Sequence, residues 1–218
     1  MKDVNDIKWS VNGDYFTATS LDQTTRLYAP WKREGIESWH EFARPQIHGY
    51  DMICYDNISP TKFVSGGDEK ILRVFEMTKS ISKLLQNLCG TQIAEENEQL
   101  PITASLPVLG LSNKAENQIE QGDQQDVDNE DNTPEAAEDV LASLDLPPVE
   151  EYLQRYTLFP ELEKLYGHGY EISCCATSPD GKLIASACRS NNAKHAVIRV
   201  FNVAQDYQQS QQVLLGHN

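Results

Sequence analysis

Residues 178–201 read SPDGKLIASACRSNNAKHAVIRVF and contain the pattern that decides the fold. A Pro-Asp-Gly turn is followed by an alternating apolar run, then by a second polar turn and by the triplet Arg-Val-Phe. Alternation with a period of two indicates a β-strand, and polar turns separate successive strands. The same order recurs as GDYFTATSLDQTTRLY at residues 13–28 and as TKFVSGGDEKILRVF at residues 61–75. The sequence therefore predicts two strands and two turns three times over.

Each of these three units is flanked by two further short β-like runs. The predicted first strands are residues 6–10, 52–55 and 172–176, and the predicted fourth strands are residues 41–44, 161–166 and 212–215. A Gly-His pair, reversed in the first case, follows each unit. Four antiparallel strands followed by Gly-His resemble the WD-repeat family of β-propellers. The predicted fold class is all-β, with about three four-stranded blades; because closed rings use about four to eight blades, we expect a piece of a longer propeller.

A long insertion is predicted to interrupt the second blade. The division is two blades in residues 1–78, the insertion in residues 79–157, and the closing strand with the third blade in residues 158–218. Apolar residues at helical spacing predict a short amphipathic helix that begins at an N-cap, Ser80, and ends at Gly90. Residues 121–139 are rich in Asp, Glu, Gln and Asn, so we expect them to be disordered. The insertion is either a loop or the junction between two propellers.

The net charge of −15 belongs to one segment of the chain. Residues 115–154 contain 13 acidic residues and no Lys or Arg, so the remainder carries only −2. The sequence as a whole therefore has no basic footprint for nucleic acid. No apolar leader segment or membrane-length apolar run is visible, which predicts a cytoplasmic protein, with the nucleus as a second compartment.

Motifs that carry catalytic or metal chemistry are absent from the sequence. It has no phosphate-binding loop, no nucleophile elbow, and no His or Cys spacing typical of zinc ligands. The five cysteines are an odd number without a CxxC pair, which favours reduced, packed thiols. We therefore predict no enzyme activity, no catalytic or metal-binding residue and no cofactor.

The WD-repeat resemblance also implies a buried polar chain within each blade. In that family a His before the first strand, a Ser or Thr on the second, and an Asp in the next turn are joined by hydrogen bonds. The matching residues are His48, Ser65 and Asp68 in the second blade, and His168 and Ser186 in the third. The third blade has an enlarged turn without the Asp, so its polar chain is expected to be partial.

Aromatic and arginine side chains are the favoured anchors of protein interfaces. The residues that we single out on this basis are Trp31, Trp39, Arg44, Tyr50 and Tyr170. They form a candidate surface for binding partner proteins. The alternative is that these aromatic side chains pack between blades.

Two strings go beyond general WD-repeat features, RPQIHGYD at residues 44–51 and LGLSNKA at residues 109–115, and DEKILRVFE at residues 68–76 adds to the resemblance that they carry. They resemble the WD-repeat subunits of the Elongator complex. The resemblance implies a non-catalytic scaffold that holds the large first subunit and the catalytic third subunit of that complex. The assembly modifies the wobble uridine of certain tRNAs. Because the scaffold subunit is non-catalytic, its contact with tRNA is expected to be at most indirect. No contact with membranes is expected.

Two other functions remain open at this stage. One is direct RNA contact, in which Lys32, Arg33 and Arg44 touch phosphates and make the affinity steeply dependent on salt. The other is a non-functional remnant of the family, which would show no cooperative thermal unfolding.

Overall fold

The computed structural model describes residues 2–93, 99–105, 114–116 and 140–216. These residues contain three four-stranded antiparallel sheets, which confirms the predicted fold class. Sheet 1 consists of β1 (Val4–Trp9), β2 (Phe16–Ser20), β3 (Thr24–Arg33) and β4 (Ile36–Ile47). Sheet 2 consists of β5 (Met52–Asn57), β6 (Lys62–Gly67), β7 (Leu72–Glu76) and β10 (Glu161–Leu165). Sheet 3 consists of β11 (Ile172–Thr177), β12 (Leu183–Cys188), β13 (Arg199–Asn202) and β14 (Gln208–Gln209).

Sheet 2 draws its strands from two distant parts of the chain. Its strand order is β10-β7-β6-β5, whereas sheets 1 and 3 follow the chain order. The insertion, residues 79–157, lies between β7 and β10. It contributes a small hairpin of β8 (Thr103–Ser105) and β9 (Lys114–Glu116).

Two of the predicted fourth strands differ from those observed. In sheet 1 the strand β4 begins at Ile36, well before residue 41, because a tight turn with positive φ at Glu34 (48°) and Gly35 (81°) extends the hairpin. In sheet 3 the prediction of residues 212–215 is confirmed only at Leu214, which forms an isolated antiparallel β-bridge with Ile198, whereas the fourth strand of the sheet is β14. The chain reverses at Asp206 and Tyr207, whose φ angles are 53° and 55°, so only five residues separate β14 from β13.

Two helices of the insertion have both of their ends within the described residues. Helix α1 spans Lys79–Cys89 and ends at Gly90, which has a φ of 71° and donates its N–H to Gln86. Its N-cap is Thr78, which accepts a hydrogen bond from Ile81, and not Ser80 as expected. Helix α2 spans Glu150–Tyr156 and was not predicted. The acidic stretch at residues 121–139 lies outside the described residues.

Helix α1 turns its apolar side toward the sheets. Ile81, Leu84 and Leu85 are at most 1% exposed and join the cluster of apolar residues between sheets 1 and 2. The spacing of these side chains places them on one helix face, so their burial drives the docking of the helix. All helices in the described ranges are too short or too polar to cross a membrane.

Each sheet packs against the next through a defined pair of faces. We call the side of a sheet that meets the preceding sheet its front face, and the side that meets the following sheet its back face. In sheet 2 the front face carries Tyr55, Phe63 and Phe75, which lie in the cluster shared with sheet 1. Its back face carries Val64 and Val74, which lie in the cluster shared with sheet 3. Side chains alternate along each strand, so one strand serves both junctions.

Candidate partner-binding surfaces

The front face of sheet 1 carries an aromatic stripe of four residues, one from each strand: Trp9, Phe16, Tyr28 and Trp39. The ring centroids of Trp9 and Phe16 are 5.5 Å apart, those of Phe16 and Tyr28 are 5.1 Å apart, and those of Phe16 and Trp39 are 5.4 Å apart. Trp9 is 58% exposed and Trp39 is 42% exposed. Exposed aromatic side chains in one patch indicate an interaction surface.

Register explains why the stripe is continuous. Trp9 pairs with Phe16, and Phe16 pairs with Tyr28, so the three side chains lie side by side on one face. Of these four residues, only Trp39 was predicted from the sequence to lie on the partner surface. The alternation of apolar residues in β1 and β2 was the signal that could have identified the rest.

Trp31 lies on the opposite face of the extended hairpin and is only partly exposed. It packs against the cluster that contains helix α1, and its ring meets that of His40 edge to face at 5.7 Å. The guanidinium of Arg33 lies 4.9 Å from the Trp31 ring centroid. Trp31 therefore helps to hold the helix and is only partly available to a partner.

Arg44 is not a surface residue, so the prediction that it contacts partners is corrected. Its side chain is 4% exposed and lies between two carboxylates. It donates to both oxygens of Glu150, at 2.8 and 2.9 Å, and to Glu41 at 3.0 Å. The hydrogen bond and charge of Arg44 lower the pKa of Glu150 to about 2, with a smaller contribution from Gln154. Arg44 thus ties helix α2 of the insertion to sheet 1.

Backbone contacts strengthen the same attachment. The Arg44 N–H donates to the hydroxyl of Thr157, and the Phe159 N–H donates to the carbonyl of Pro45, both at 2.9 Å. Thr157 is fully buried. The prediction that Arg44 contacts partners was wrong because its ion-pair partner, Glu150, lies 106 residues away in the sequence. No local pattern indicates a contact between residues so far apart.

Tyr50 and Tyr170 occupy equivalent positions in the loops that lead into sheets 2 and 3. Tyr50 is 53% exposed and lies beside the His48 ring at a centroid distance of 5.6 Å. Tyr170 is partly buried and meets the ring of His195 edge to face at 5.4 Å. Of the two tyrosines, Tyr50 is the more accessible to a partner.

The structure brings together the polar pair predicted for the third blade. The Nε2 atom of His168 lies 2.8 Å from the hydroxyl of Ser186, and both residues are buried. Burial, with the nearby charge of Arg199, lowers the pKa of His168 to about 4. The imidazole is therefore neutral at physiological pH and joins the loop before β11 to strand β12.

The corresponding residues of the second blade are not joined to one another. The Ser65 hydroxyl donates to Gln46 of sheet 1 at 2.8 Å, so it links two blades. The Nε2 atom of His48 instead lies 2.9 Å from Glu69. A carboxylate oxygen of Asp68 lies 3.6 Å from the guanidinium of Arg189, in the loop after β12. The expected chain of His48, Ser65 and Asp68 is thus replaced by three separate contacts.

Glu69 forms the centre of an ionic cluster that sequence reasoning missed. It accepts hydrogen bonds from Arg73 at 2.7 and 3.0 Å, and Arg73 also donates to Glu161 at 2.7 Å. Burial alone would raise the pKa of Glu69, but hydrogen bonds from His48 and Arg73 lower it to about 2. Because Glu161 begins β10, the cluster fixes the strand that follows the insertion.

Asn and Asp side chains connect the innermost strands of successive sheets. Asn5 donates to the carbonyl of Met52 at 2.8 Å, and Asn57 donates to the carbonyl of Trp9 at 2.8 Å. Asp56 accepts from the N–H of Thr177 at 2.6 Å. These bonds satisfy backbone groups on strands that have a partner on one side only.

The described residues contain no cluster of His, Cys, Asp and Glu side chains that could hold a metal ion. Several of their charged side chains form ion pairs that join strands, loops and the insertion. Chemically, the exposed aromatic stripe and Tyr50 are suited to binding a protein surface.

A family model described as WD domain, G-beta repeat matches residues 2–29 and 159–195. Together with the three four-stranded sheets, this match defines a WD-repeat protein of the β-propeller class. Elongator complex protein 2 of Saccharomyces cerevisiae is 56% identical over 209 residues, which are 92% of this chain and 26% of that protein. The same-named proteins of Schizosaccharomyces pombe and Homo sapiens are 47% and 40% identical over 100% and 91% of this chain.

The chain belongs to the Elongator complex protein 2 family. It spans about a quarter of the length of the curated relatives it matches.

Proposed function

We propose that the protein is a non-catalytic scaffold subunit of Elongator. It holds the large first subunit and the catalytic third subunit, and thereby supports modification of the wobble uridine of tRNA. The observation that carries the proposal is the identity of 56% to the yeast protein named Elongator complex protein 2 across 92% of the chain. The exposed aromatic surfaces support it, because such surfaces are typical of proteins that bind other proteins.

The proposal includes a cytoplasmic location, with the nucleus as a second compartment. It also assigns all catalytic groups and cofactors to the partner subunits. In this arrangement the chain touches tRNA at most indirectly.

The test is purification of the tagged protein from the cells that make it. We expect the first and third Elongator subunits to co-purify, and we expect cells without the protein to lose wobble-uridine modification. Unchanged modification in those cells would overturn the proposal.

A surface variant localises the contact. Tyr50→Asp is expected to reduce recovery of the partner subunits by at least about tenfold, since the side chain is 53% exposed in the loop before β5. The matched control is Tyr166→Asp, because Tyr166 is 64% exposed at the end of the outer strand β10. Equal recovery with both variants would remove Tyr50 from the contact.

Direct RNA binding is the competing function. Arg44 is unsuited to it, because its guanidinium is already held by Glu41 and Glu150. A tRNA affinity that falls steeply with salt would favour RNA binding, and a flat dependence would favour the scaffold.

A further inference from the structure

An arginine occupies the same position on the third strand of every sheet: Arg26 in β3, Arg73 in β7 and Arg199 in β13. Each lies two residues before the aromatic residue of its strand, so both side chains point to the front face of the sheet. The front face of sheet 3 packs against sheet 2 through Phe201, so Arg199 lies on an internal side of the three-sheet array. The surroundings of the three arginines can therefore be compared with one another.

In sheet 1 two carboxylates hold this arginine. The guanidinium of Arg26 lies 3.0 Å from Asp22, which precedes it by four residues, and 3.2 Å from Glu41. Glu41 belongs to the fourth strand and pairs in register with Tyr28, the aromatic residue of the third. The charge of the guanidinium is thus balanced within its own sheet.

Sheet 2 repeats the arrangement with glutamates at both positions. The guanidinium of Arg73 lies 2.7 Å from Glu69, four residues earlier, and 2.7 Å from Glu161, which pairs in register with Phe75. The Glu69 carboxylate also lies 2.9 Å from Nε2 of His48, in the loop before β5. One carboxylate therefore binds both the arginine of the third strand and the histidine that precedes the first strand.

Sheet 3 has no carboxylate at either position. His195 lies four residues before Arg199, and Gln209 is the residue that pairs in register with Phe201. Within the described ranges Arg199 makes no ion pair, and its Nε atom is buried without a hydrogen-bond partner. Both acidic partners are thus exchanged for groups without negative charge, whereas the arginine is retained.

The side chains of Arg199 and His195 lie close against the loop that joins β10 to β11. A Cβ added to Gly167 would lie 3.4 Å from Nη1 of Arg199, and one added to Gly169 would lie 2.6 Å from Nδ1 of His195. Between these two glycines lies His168, which is 7% exposed. The glycines therefore allow the arginine and both histidines to come together.

Three buried nitrogen atoms of this group lack a hydrogen-bond partner among the residues that the structure describes: Nε of Arg199, Nδ1 of His168 and Nδ1 of His195. Buried polar atoms nearly always have a partner. With its proton on Nδ1, the neutral His168 ring accepts from Ser186 at Nε2 and keeps one donor for a further contact. The group therefore offers donors to an acceptor that these residues do not supply.

The charge of the surrounding segment favours an anion as that acceptor. Residues 181–205 contain four basic residues and no Asp or Glu. Arg189 and Lys194 lie in the exposed loop before β13, and Asp68 of sheet 2 reaches only Arg189, at 3.6 Å. Arg199 is half-buried, so an anion can reach it from solvent.

We infer that Arg199, His168 and His195 form a binding site for one carboxylate group that comes from outside this part of the chain. The carboxylate makes the contacts that Glu69 makes in sheet 2, where one carboxylate binds an arginine and a histidine. Its source is either a small free carboxylate or an Asp or Glu side chain of a partner protein. The site itself does not depend on the proposed scaffold function.

Histidine side-chain NMR of the isotope-labelled protein tests the site. Acetate, added at constant ionic strength, represents a free carboxylate, and a short blocked peptide with one Glu represents a partner side chain; the same peptide with Gln is its control. We expect the His168 and His195 resonances to shift saturably, with a dissociation constant of about 1 mM for the tighter probe. Tighter binding of the peptide identifies a protein side chain as the source, and tighter binding of acetate a small carboxylate. No saturable shift with either probe, or equally tight binding of inorganic phosphate, would overturn the inference.

A pair of arginine variants separates the site from general positive charge. Arg199→Gln should weaken binding of the tighter probe at least about tenfold, because it removes the charge that the carboxylate contacts. The matched control is Arg189→Gln, since the Arg189 side chain is 58% exposed in the neighbouring loop, and it should bind as the unmodified protein does. Equal binding by the two variants would contradict the inference.

A carboxylate supplied by the chain itself gives a second test. His195→Glu places an acid four residues before Arg199, as Glu69 is placed before Arg73, and should abolish acetate binding and raise the midpoint of thermal unfolding by about 2–4 °C. His195→Gln, which adds no charge, is the control and should leave the midpoint lower than His195→Glu does. A His195→Glu variant that still binds acetate as the unmodified protein does, or that is no more stable than His195→Gln, would count against the site.

Discussion

The two junctions between sheets differ in the side chains that fill them. Between sheets 1 and 2 the cluster is aromatic and extends outward to helix α1 and to Leu141 and Phe159 of the segments around the insertion. Between sheets 2 and 3 the cluster is mainly aliphatic, with Val64 and Ile184 as typical members. The same strand framework therefore tolerates different packing, and the junction that receives the insertion has the larger core.

Removing an aromatic ring from the junction between sheets 1 and 2 is expected to lower the free energy of unfolding more than any other change. Phe63→Ala should lower the free energy of unfolding by about 3–5 kcal/mol, because the 2% exposed ring contacts three other aromatic rings. Its matched control is Phe16→Ala, at the same register in sheet 1 but partly exposed, which should cost less than half as much. Urea unfolding of both variants checks this. Equal losses would show that the first junction does not depend on its stack.

The ionic attachment of the insertion is the second distinguishing feature of the first junction. Arg44→Met should cost about 2 kcal/mol, less than for a fully buried pair, because Glu150 is 64% exposed and can be solvated. Arg33→Met, which removes an exposed guanidinium, should cost about 0.5 kcal/mol. Thermal unfolding measures both. If Arg44→Met lowers stability no more than Arg33→Met does, the ion pair of Arg44 with Glu150 does not attach the insertion to sheet 1.

In the junction between sheets 2 and 3, stability is expected to depend on how much side-chain volume is added, because aromatic stacking does not fill this junction. A Cβ at Gly66 would lie 2.7 Å from Ile172 and 2.9 Å from the Cys54 sulfur, so Gly66→Ala should cost about 1–2 kcal/mol. Gly49 has no atom within 4 Å of its added Cβ, and Gly49→Ala should leave stability within about 0.5 kcal/mol. Denaturant midpoints distinguish the two. If Gly66→Ala does not change the free energy of unfolding, the junction can accommodate the added methyl group.

A further expected effect is a pH dependence of stability in the third blade. The pKa of His168 is about 4 in the folded chain and 6.5 when unperturbed, so the unfolded chain binds more protons between these values. Stability is therefore complete above about pH 6.5 and falls as the pH drops toward 4. His168→Gln should flatten this part of the profile, measured as midpoint against pH. An unchanged slope would assign the dependence to other groups; the carboxylate of Glu69, with a pKa of about 2, titrates at lower pH.

Sequence patterns predicted the parts of the fold that depend on local order. Alternation and turn residues located the first three strands of each sheet, and the segment at 161–166 was correctly expected to follow the insertion as a strand. The fourth strand of sheet 3 was predicted only in part: Leu214 pairs with Ile198 as expected, but strand β14 was missed because the chain reverses at Asp206 and Tyr207, where no glycine marks the turn. An aromatic residue at this position gives no warning of a tight turn.

The candidate surface was less predictable, because exposure depends on contacts between distant segments. Trp39 and Tyr50 are accessible, whereas Arg44 is occupied by Glu150 and Trp31 is half covered by the cluster around helix α1. The hydroxyl of Ser65 donates its hydrogen bond to Gln46 and not to His48 as expected. The spacing of Gln46 and Ser65 in the sequence does not indicate this contact. Composition identifies residue types suited to an interface, but only packing decides which remain free.

The separation of β7 and β10 also sets an order of events during folding. Four residues join β6 to β7, whereas 84 residues separate the end of β7 from the start of β10. Closing the longer loop costs about 3 kcal/mol more chain entropy than closing the shorter one, and slow steps accompany such distant contacts. The meander of β5, β6 and β7 should therefore form early, and its outer edge should stay open until the segment around residue 161 arrives. During synthesis, that edge stays unpaired until the whole insertion and β10 have left the ribosome.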